Sequence, residues 1–293
     1  MSTSPSNRSS VVAAVINMKG GVGKTVLSAN LFREIYSNFG IKTLLIDFDA
    51  QFNLSQLLLT RADYERFRAE KRTIQYIMEP EQPDSVFAVA EDDLECVSNV
   101  DDYTIELESQ GAGGPSLCMV PGDFRLALMN LREGSGLKLP ARRFRSFIQN
   151  AAQTYGLVVL DCNPSSSFVT RCALEAATHL VIPVRADKFA TLGVELLYKF
   201  VEQMPTLTRK PKICLIHNDV RDVGDQQAIV DLRAHSIFGP RTLVTEIKHS
   251  TFFMPSSDYT GFATDRGVAH RYAIAGLLRV AADELAKALE IIP

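Results

Sequence analysis

The stretch VVAAVINMKGGVGKTVLSANLF, residues 11–32, leaves this chain few ways to fold. Its first part, Val11 to Asn17, is an unbroken β-branched apolar run, as expected of a strand covered on both faces. Gly20, Gly21 and Gly23 interrupt it. Beyond them Val26, Leu27, Leu31, Ile35 and Phe39 recur at helical spacing, and Gly40 is a C-terminal stop. A second buried strand, KTLLIDFD (42–49), follows and ends in two aspartates. LVVLD (157–161), HLVIPV (179–184) and KICLIHN (212–218) are of the same kind, with helical stretches at 168–177 and 191–204. A weaker strand at 242–247 and a final helix from Val268 to Leu289 complete the pattern. Strands alternating with helices predict an α/β fold: a doubly wound, mostly parallel sheet flanked by helices, with right-handed crossovers.

Residues 1–10 read as a disordered lead-in, and 11–293 as one domain with an elaboration at about 60–145. That elaboration carries a charged helical stretch (61–79), an acidic stretch from Glu91 to Glu95, and the glycine-rich surface loop SQGAGGPS (109–116). The N-terminus lacks the apolar run of a secretory signal, and no apolar run approaches the ~20 residues of a membrane span. Five scattered cysteines, never spaced C-x-x-C, read as buried thiols of a reducing cytoplasm. With 31 basic and 34 acidic side chains, the net charge of -3 gives no whole-protein attraction to nucleic acid. Such binding needs a local patch.

The glycine turn sits where a strand feeds a helix, so its backbone N–H groups and the helix N-terminus together make an anion site. Glycines let the backbone approach phosphate oxygens. Lys24 then reaches the β- and γ-phosphates, and the Thr25 hydroxyl ligates Mg²⁺. One position breaks the pattern G-x-x-x-x-G-K-[ST]: Met18 stands where its first glycine belongs, and Lys19 follows. Taken alone, Lys19 reads either as a solvated loop lysine or as a second phosphate ligand.

KGGVGKT resembles the deviant Walker A motif of the ParA/MinD family of P-loop ATPases, in which that first glycine is often another residue. TLLIDFDAQFNLS is similar to the family's switch segment, LVVLDCNPSSS to its Walker B region, and LVIPVRADKFATLGVELL to the strand and helix after it. SLCMVPGDFRLALMNL resembles a segment that precedes Walker B in the plasmid and chromosome partition members, and among these the chain is most similar to the ParA/Soj-type ATPases without an N-terminal helix-turn-helix domain. The resemblance implies an ATPase that buries two ATP molecules between two subunits, with Lys19 crossing to the nucleotide of the partner. It implies Gly20, Gly21, Val22, Gly23, Lys24, Thr25 and Val26 around the phosphates, and Asn218 on the adenine. It also implies Asp161 and Asp47 in support of Mg²⁺, and Asp49 as the group that orients the attacking water. The switch segment departs from the usual D-x-D-P-Q-G-N, because Ala50 and Phe52 replace proline and glycine. That change bears on loop flexibility and therefore on the rate of hydrolysis.

Partition members imply slow, partner-stimulated hydrolysis, a ParB-like partner, a homodimer in the ATP state and nonspecific DNA binding. Three basic clusters are available for DNA: Lys138, Arg142, Arg143 and Arg145; Arg209, Lys210 and Lys212; and Arg266, His270 and Arg271. Each cluster alone reads more readily as a solvated face. The C-terminal VAADELAKALEIIP is too acidic for a basic amphipathic membrane anchor. Cys162 lies outside the cysteine context of the iron–sulfur branch of the superfamily. The reading is a cytoplasmic Mg²⁺-dependent ATPase switch in plasmid or chromosome partition. The alternative is a weakly hydrolysing switch that positions another cargo.

Overall fold

The computed structural model describes residues 10–79, 99–129, 131–132, 134–162, 168–221, 226–253 and 259–293. Residues 1–9 of the lead-in, the acidic stretch Glu91 to Glu95 and Cys96 fall outside them. Each of the five buried runs of the sequence is a strand: β1 (Val11–Val15), β2 (Thr43–Phe48), β5 (Leu157–Cys162), β6 (His179–Arg185) and β7 (Lys212–Asn218). Two more strands come from the elaboration, β3 (Ile105–Ser109) and β4 (Ser116–Val120). All seven form one sheet in the order β3-β4-β2-β5-β1-β6-β7. Every pairing is parallel except β3 with β4.

Alternate residues of the strands feed two separate cores. Val12, Ala14, Ile46, Phe48, Val158 and Leu160 lie in one, whereas Val11, Ala13, Val15, Leu45 and Val159 lie in the other. A sheet covered on both faces has no polar side to show, which is why these strands read as unbroken apolar runs. Helix α1 (Lys24–Phe39) buries Leu27, Leu31 and Ile35 and ends on Gly40, whose left-handed φ of 61° lets its N–H reach the Tyr36 carbonyl.

The elaboration differs from its expected form. The charged stretch is two helices, α3 (Arg61–Ala69) and α4 (Ile74–Met78), separated at Lys71, which takes a positive φ of 59°. The glycine-rich loop is the turn of a hairpin that extends the sheet: SLCMV pairs in parallel with β2 and carries β3 as an antiparallel edge. Alternation of strands with helices cannot announce a hairpin appended to an edge.

Helices α2 (Asn53–Leu58), α5 (Leu126–Met129), α6 (Lys138–Thr154), α7 (Phe168–Ala176), α8 (Ala190–Gln203), α9 (Gln226–Ala234) and α10 (Val268–Ala288) complete the described elements, with short 3₁₀ turns between some of them. The weak strand expected at 242–247 is a loop that meets β7 through an isolated bridge from Leu215 to Thr242 and through N–H bonds from Leu243 to the Leu215 carbonyl and from Ile247 to the His217 carbonyl. The apolar face of α10 is consumed by packing, with Leu278, Ala281, Ala282, Leu285 and Leu289 at 0% exposure. No helix of the described residues is long and apolar enough to cross a membrane. Cys118, Cys162, Cys172 and Cys214 are buried free thiols.

Candidate nucleotide site

The carboxyl ends of β1, β2 and β5 meet at one edge of the sheet, where open α/β folds bind their ligands. Register brings Asp47 of β2 opposite Asp161 of β5, and Val15 of β1 opposite Asp161 from the other side. The glycine turn leaves β1 immediately above this pair. Met18 packs against the core beneath the sheet, so a side chain in place of the pattern's first glycine anchors the loop. Asn17 holds the start of the turn: its Nδ2 donates to the Pro183 carbonyl at 2.7 Å and its Oδ1 accepts from the Lys19 N–H at 2.9 Å.

Gly21 and Gly23 have φ of 71° and 86°, a left-handed backbone that other residues rarely adopt. At Gly23 a side chain is excluded a second time, because a Cβ there would lie 2.1 Å from Asn218 Nδ2. That same nitrogen donates to the Val22 carbonyl at 2.8 Å. Asn218 therefore fastens the turn to the end of β7. Gly21, Gly23, Val26, Asn218 and Asp219 line a cleft of about 180 Å³ together with Lys248, His249, Ser250 and Phe253. Gly20 is exposed at the tip of the turn, with nothing near its Cβ position, and Val22 is 1% exposed.

Lys24 opens α1 and bends back so that Nζ donates to the Lys19 carbonyl at 3.2 Å. Burial lowers its pKa, while Asp161 and Asp49 pull the other way. Asp161 is 1% exposed; its Oδ1 accepts from Ser28 Oγ at 2.8 Å, and the nearby Thr25 hydroxyl favours its ionised form. Its Oδ2 is buried without a hydrogen-bond partner. Burial drives the Asp161 carboxyl up to about 6 against those two hydroxyls. A buried anionic oxygen with nothing to meet it is expensive unless a cation arrives. The Thr25 hydroxyl beside it completes a donor pair suited to Mg²⁺. Among the described residues no group of three or more His, Cys, Asp or Glu side chains could hold a metal ion by itself. A Mg²⁺ ion at this edge would draw its remaining oxygens from phosphate and water, the usual arrangement in phosphoryl-transfer sites.

Asp47 is fully buried and turns away from the glycine loop. Its Oδ2 accepts from the Ser55 N–H at 2.7 Å and from Ser55 Oγ at 2.6 Å, which ties the end of β2 to α2. Burial and the neighbouring Asp161 push its carboxyl up to about 8. Asp49, 6% exposed, lies near enough to Lys24 and Asp161 to act on both, and its Oδ1 accepts from the Gln51 N–H at 2.9 Å. Lys19 extends the other way, with Nζ paired to Asp187 in the loop after β6. Asp187 stays ionised below its usual range because the Lys19 ammonium and the Phe189 N–H outweigh its burial.

The structure thus brings together Lys24, Thr25, Asp49 and Asp161, places Asp47 directly behind them, and sets Lys19 to one side. Sequence reasoning missed Asn17, Ser28, Ser55 and Asp187, small polar groups whose roles depend on partners 8 to 168 positions away. The loop around Met254-Pro255, which by resemblance would close over the base, lies outside the described residues; its neighbours Lys248, His249, Ser250 and Phe253 line the cleft.

The basic clusters are largely engaged in the fold. Arg143 is buried and donates to the Ile77 carbonyl, Arg145 pairs with Glu175, and Lys210 caps α8 on the carbonyls of Val201, Glu202 and Met204. Lys212 pairs with Glu290, and Arg266 donates to the Phe252 carbonyl. Lys138, Arg142 and Arg209 are exposed, and the side chains of His270 and Arg271 lie outside the described residues.

A family model described as an AAA domain matches residues 10–213. The sporulation initiation inhibitor protein Soj of Bacillus subtilis is 28% identical over 191 residues, which cover 65% of this chain and 64% of that protein. The chromosome-partitioning ATPase Soj of Thermus thermophilus is 30% identical over 241 residues, covering 80% of this chain and 79% of that one. Among solved structures, a plasmid partition protein of Borrelia burgdorferi bound to AMPPNP superposes with a TM-score of 0.64 at 18% identity, over 83% of this chain and 87% of that one. The ParA of pNOB8 bound to nonspecific DNA gives 0.67 at 17% identity, over 97% and 100%. With the fold, the turn and these matches in agreement, the chain belongs to the ParA/MinD-type family of P-loop ATPases.

Proposed function

We propose that this protein binds ATP with Mg²⁺ and hydrolyses it as a nucleotide-dependent switch in plasmid or chromosome partition. One observation carries the chemistry: Lys24, Thr25, Asp49 and Asp161 converge at the mouth of the glycine turn, with a buried oxygen of Asp161 left without a partner. The N–H groups of residues 20 to 26 and the α1 N-terminus receive the phosphates, and Lys24 exchanges its bond to the Lys19 carbonyl for phosphate oxygen. Thr25 and Asp161 would hold Mg²⁺, which would supply charge neutralisation to the phosphates. Asp49 orients a water whose oxygen bonds to the γ-phosphorus as the bond from that phosphorus to the β,γ-bridging oxygen breaks, giving ADP and phosphate. Asp47, bonded to Ser55, holds the metal edge in shape from behind.

Lys19 gives the switch its second state. In the single chain its ammonium rests on Asp187. In the ATP-bound homodimer it leaves Asp187 for the nucleotide of the other subunit, where two triphosphates buried face to face need more positive charge than one subunit offers. The side chains beside that pair support a face covered on assembly: Phe189 and Leu192 are 58% and 49% exposed. In the cytoplasm the dimer binds DNA without sequence preference, and a ParB-like partner stimulates turnover.

The test compares wild type with Lys19→Ala and Asp49→Ala for nucleotide affinity, ATP turnover and ATP-dependent dimerisation by light scattering. Lys19→Ala retains ATP binding but loses stable dimers and turnover. Asp49→Ala accumulates the ATP-bound dimer. A Lys19→Ala protein that dimerises and turns over normally refutes the crossing lysine, and a wild type that never hydrolyses ATP refutes the enzyme.

A further inference from the structure

Phe52 sits where the family's switch segment ordinarily has glycine, and it keeps a glycine's backbone: φ is 44° and ψ 41°, the left-handed region. Bulky side chains seldom occupy that region, and one persists there only when its surroundings hold it. The surroundings are specific. The Phe52 ring stacks on Tyr64 of α3, with centroids 5.2 Å apart and planes 7° from parallel. Tyr64 donates its hydroxyl to the Gly122 carbonyl at 3.2 Å; burial and the nearby Asp123 push that phenol up to about 12, so it remains a donor. Gly122 in turn donates its N–H to Ser55 Oγ at 2.9 Å, and Ser55 donates to Asp47. Space is tight throughout, since a Cβ on Gly122 would lie 2.9 Å from Phe52 Cβ and 2.8 Å from Asp47 Cγ.

These contacts close on the turn that carries Asp49. The Phe52 N–H donates to the Asp49 carbonyl at 2.9 Å, and the Gln51 N–H donates to its carboxylate. Asn53, the next residue, donates its Nδ2 to the other carboxylate oxygen at 3.5 Å, so a shift of the Phe52 backbone passes directly to groups that hold Asp49. We infer that Phe52 and Tyr64 form an aromatic clamp that positions Asp49 at the phosphate site, so that α3 of the elaboration sets the rate of hydrolysis. The inference rests on the ATPase reading above. Both residues are positioning residues, acting through Asp49. Neither is among the groups that receive the phosphates, so loosening the clamp changes turnover and leaves nucleotide affinity alone.

The experiment measures kcat and KM for ATP, nucleotide affinity, and amide hydrogen exchange of residues 50–56 in wild type, Tyr64→Leu, Tyr64→Phe, Phe52→Ala and Phe52→Gly. In Tyr64→Leu and Phe52→Ala, kcat falls about tenfold or more, with KM and affinity within about twofold of wild type, and the 50–56 amides exchange faster; Phe52→Gly, which takes the left-handed backbone unaided, retains more turnover than Phe52→Ala. Tyr64→Phe keeps the ring and recovers most of the turnover lost in Tyr64→Leu. The clamp is overturned by unchanged kcat in folded Tyr64→Leu and Phe52→Ala, by Phe52→Gly losing no less turnover than Phe52→Ala, or by nucleotide affinity falling in step with kcat. Should Tyr64→Leu fail to fold, the Phe52 variants decide, since their side chain is only partly buried. Absence of wild-type turnover would refute the ATPase reading, and the exchange measurement then judges the clamp alone: unchanged exchange in the variants refutes it.

Discussion

Replacing Asp161 by asparagine should stabilise the nucleotide-free protein while removing its response to Mg²⁺. Burial holds the Asp161 carboxyl at about 6, against 3.8 for an ordinary aspartate. Ionising it in the folded state, once pH exceeds that value, therefore costs about 3 kcal/mol relative to the unfolded chain. Asparagine has nearly the same shape, can still accept from Ser28 Oγ, and carries no charge. It brings an NH₂ group toward the place where Asp161 Oδ2 has no partner, at a cost of about 1 kcal/mol for an orphaned donor. The net gain at pH 8 is about 2 kcal/mol, or roughly 3 °C in melting temperature for a chain of this size. The sign with pH follows from proton uptake. Between 3.8 and about 6 the folded protein binds more protons than the unfolded one, so the aspartate's penalty grows as pH rises through that window. At pH 5 the advantage of the variant shrinks to about a third of its pH 8 value. Thermal melts in EDTA at pH 8 and pH 5, repeated with Mg²⁺ and AMPPNP, read all of this. Wild type gains stability from the metal and nucleotide together, whereas Asp161→Asn gains much less. A variant no more stable than wild type at pH 8, or equally stabilised at both pH values, refutes the assignment of Asp161 as a carboxylate kept costly for a cation.

Two further outcomes follow from side chains around the same edge. Gly23→Ala places a Cβ 2.1 Å from Asn218 Nδ2 at a φ of 86°, so it loses about 2 kcal/mol or more of stability together with most nucleotide affinity. Gly20→Ala, with nothing within 4 Å, leaves the melting temperature within about 2 °C of wild type. A Gly23→Ala protein that melts and binds like wild type refutes the fastening of the turn by Asn218. His217, next to Asn218 on β7, is fully buried with neither ring nitrogen hydrogen-bonded, and burial lowers its pKa to about 4. Between pH 6.5 and 4 the unfolded chain takes the proton first, so wild type loses up to about 3 kcal/mol across that window. In urea titrations His217→Leu flattens that slope; equal slopes in the two proteins refute the neutral buried imidazole.

Much of this molecule is legible along the chain because its signals are local. A strand buried on both faces must be apolar at successive positions, so Val11 to Val15, Leu157 to Leu160 and Leu180 to Val184 announce a parallel sheet. The glycine turn is equally local, because phosphate needs closely spaced N–H groups and a φ that Gly21 and Gly23 adopt without strain. The sheet then dictates that Asp47 and Asp161, each at the end of a strand, arrive side by side.

What the sequence withheld depends on partners far apart in the chain. Nothing along residues 43–58 says that Asp47 is spent on Ser55 while Asp161 keeps a bare oxygen, because that difference is made by where α2 and α1 pack. Basic residues looked alike as letters, yet Arg143 is buried on the Ile77 carbonyl and Lys210 closes a helix end. Phe52 shows the division most clearly. Its letter predicts a loop altered by the loss of glycine, and only the fold supplies Tyr64, whose ring lets a phenylalanine keep the left-handed backbone that glycine would take unaided. Backbone propensity and phosphate chemistry act over a few residues and are written in order; the environment of a buried charge or a strained residue is set by whatever packs against it.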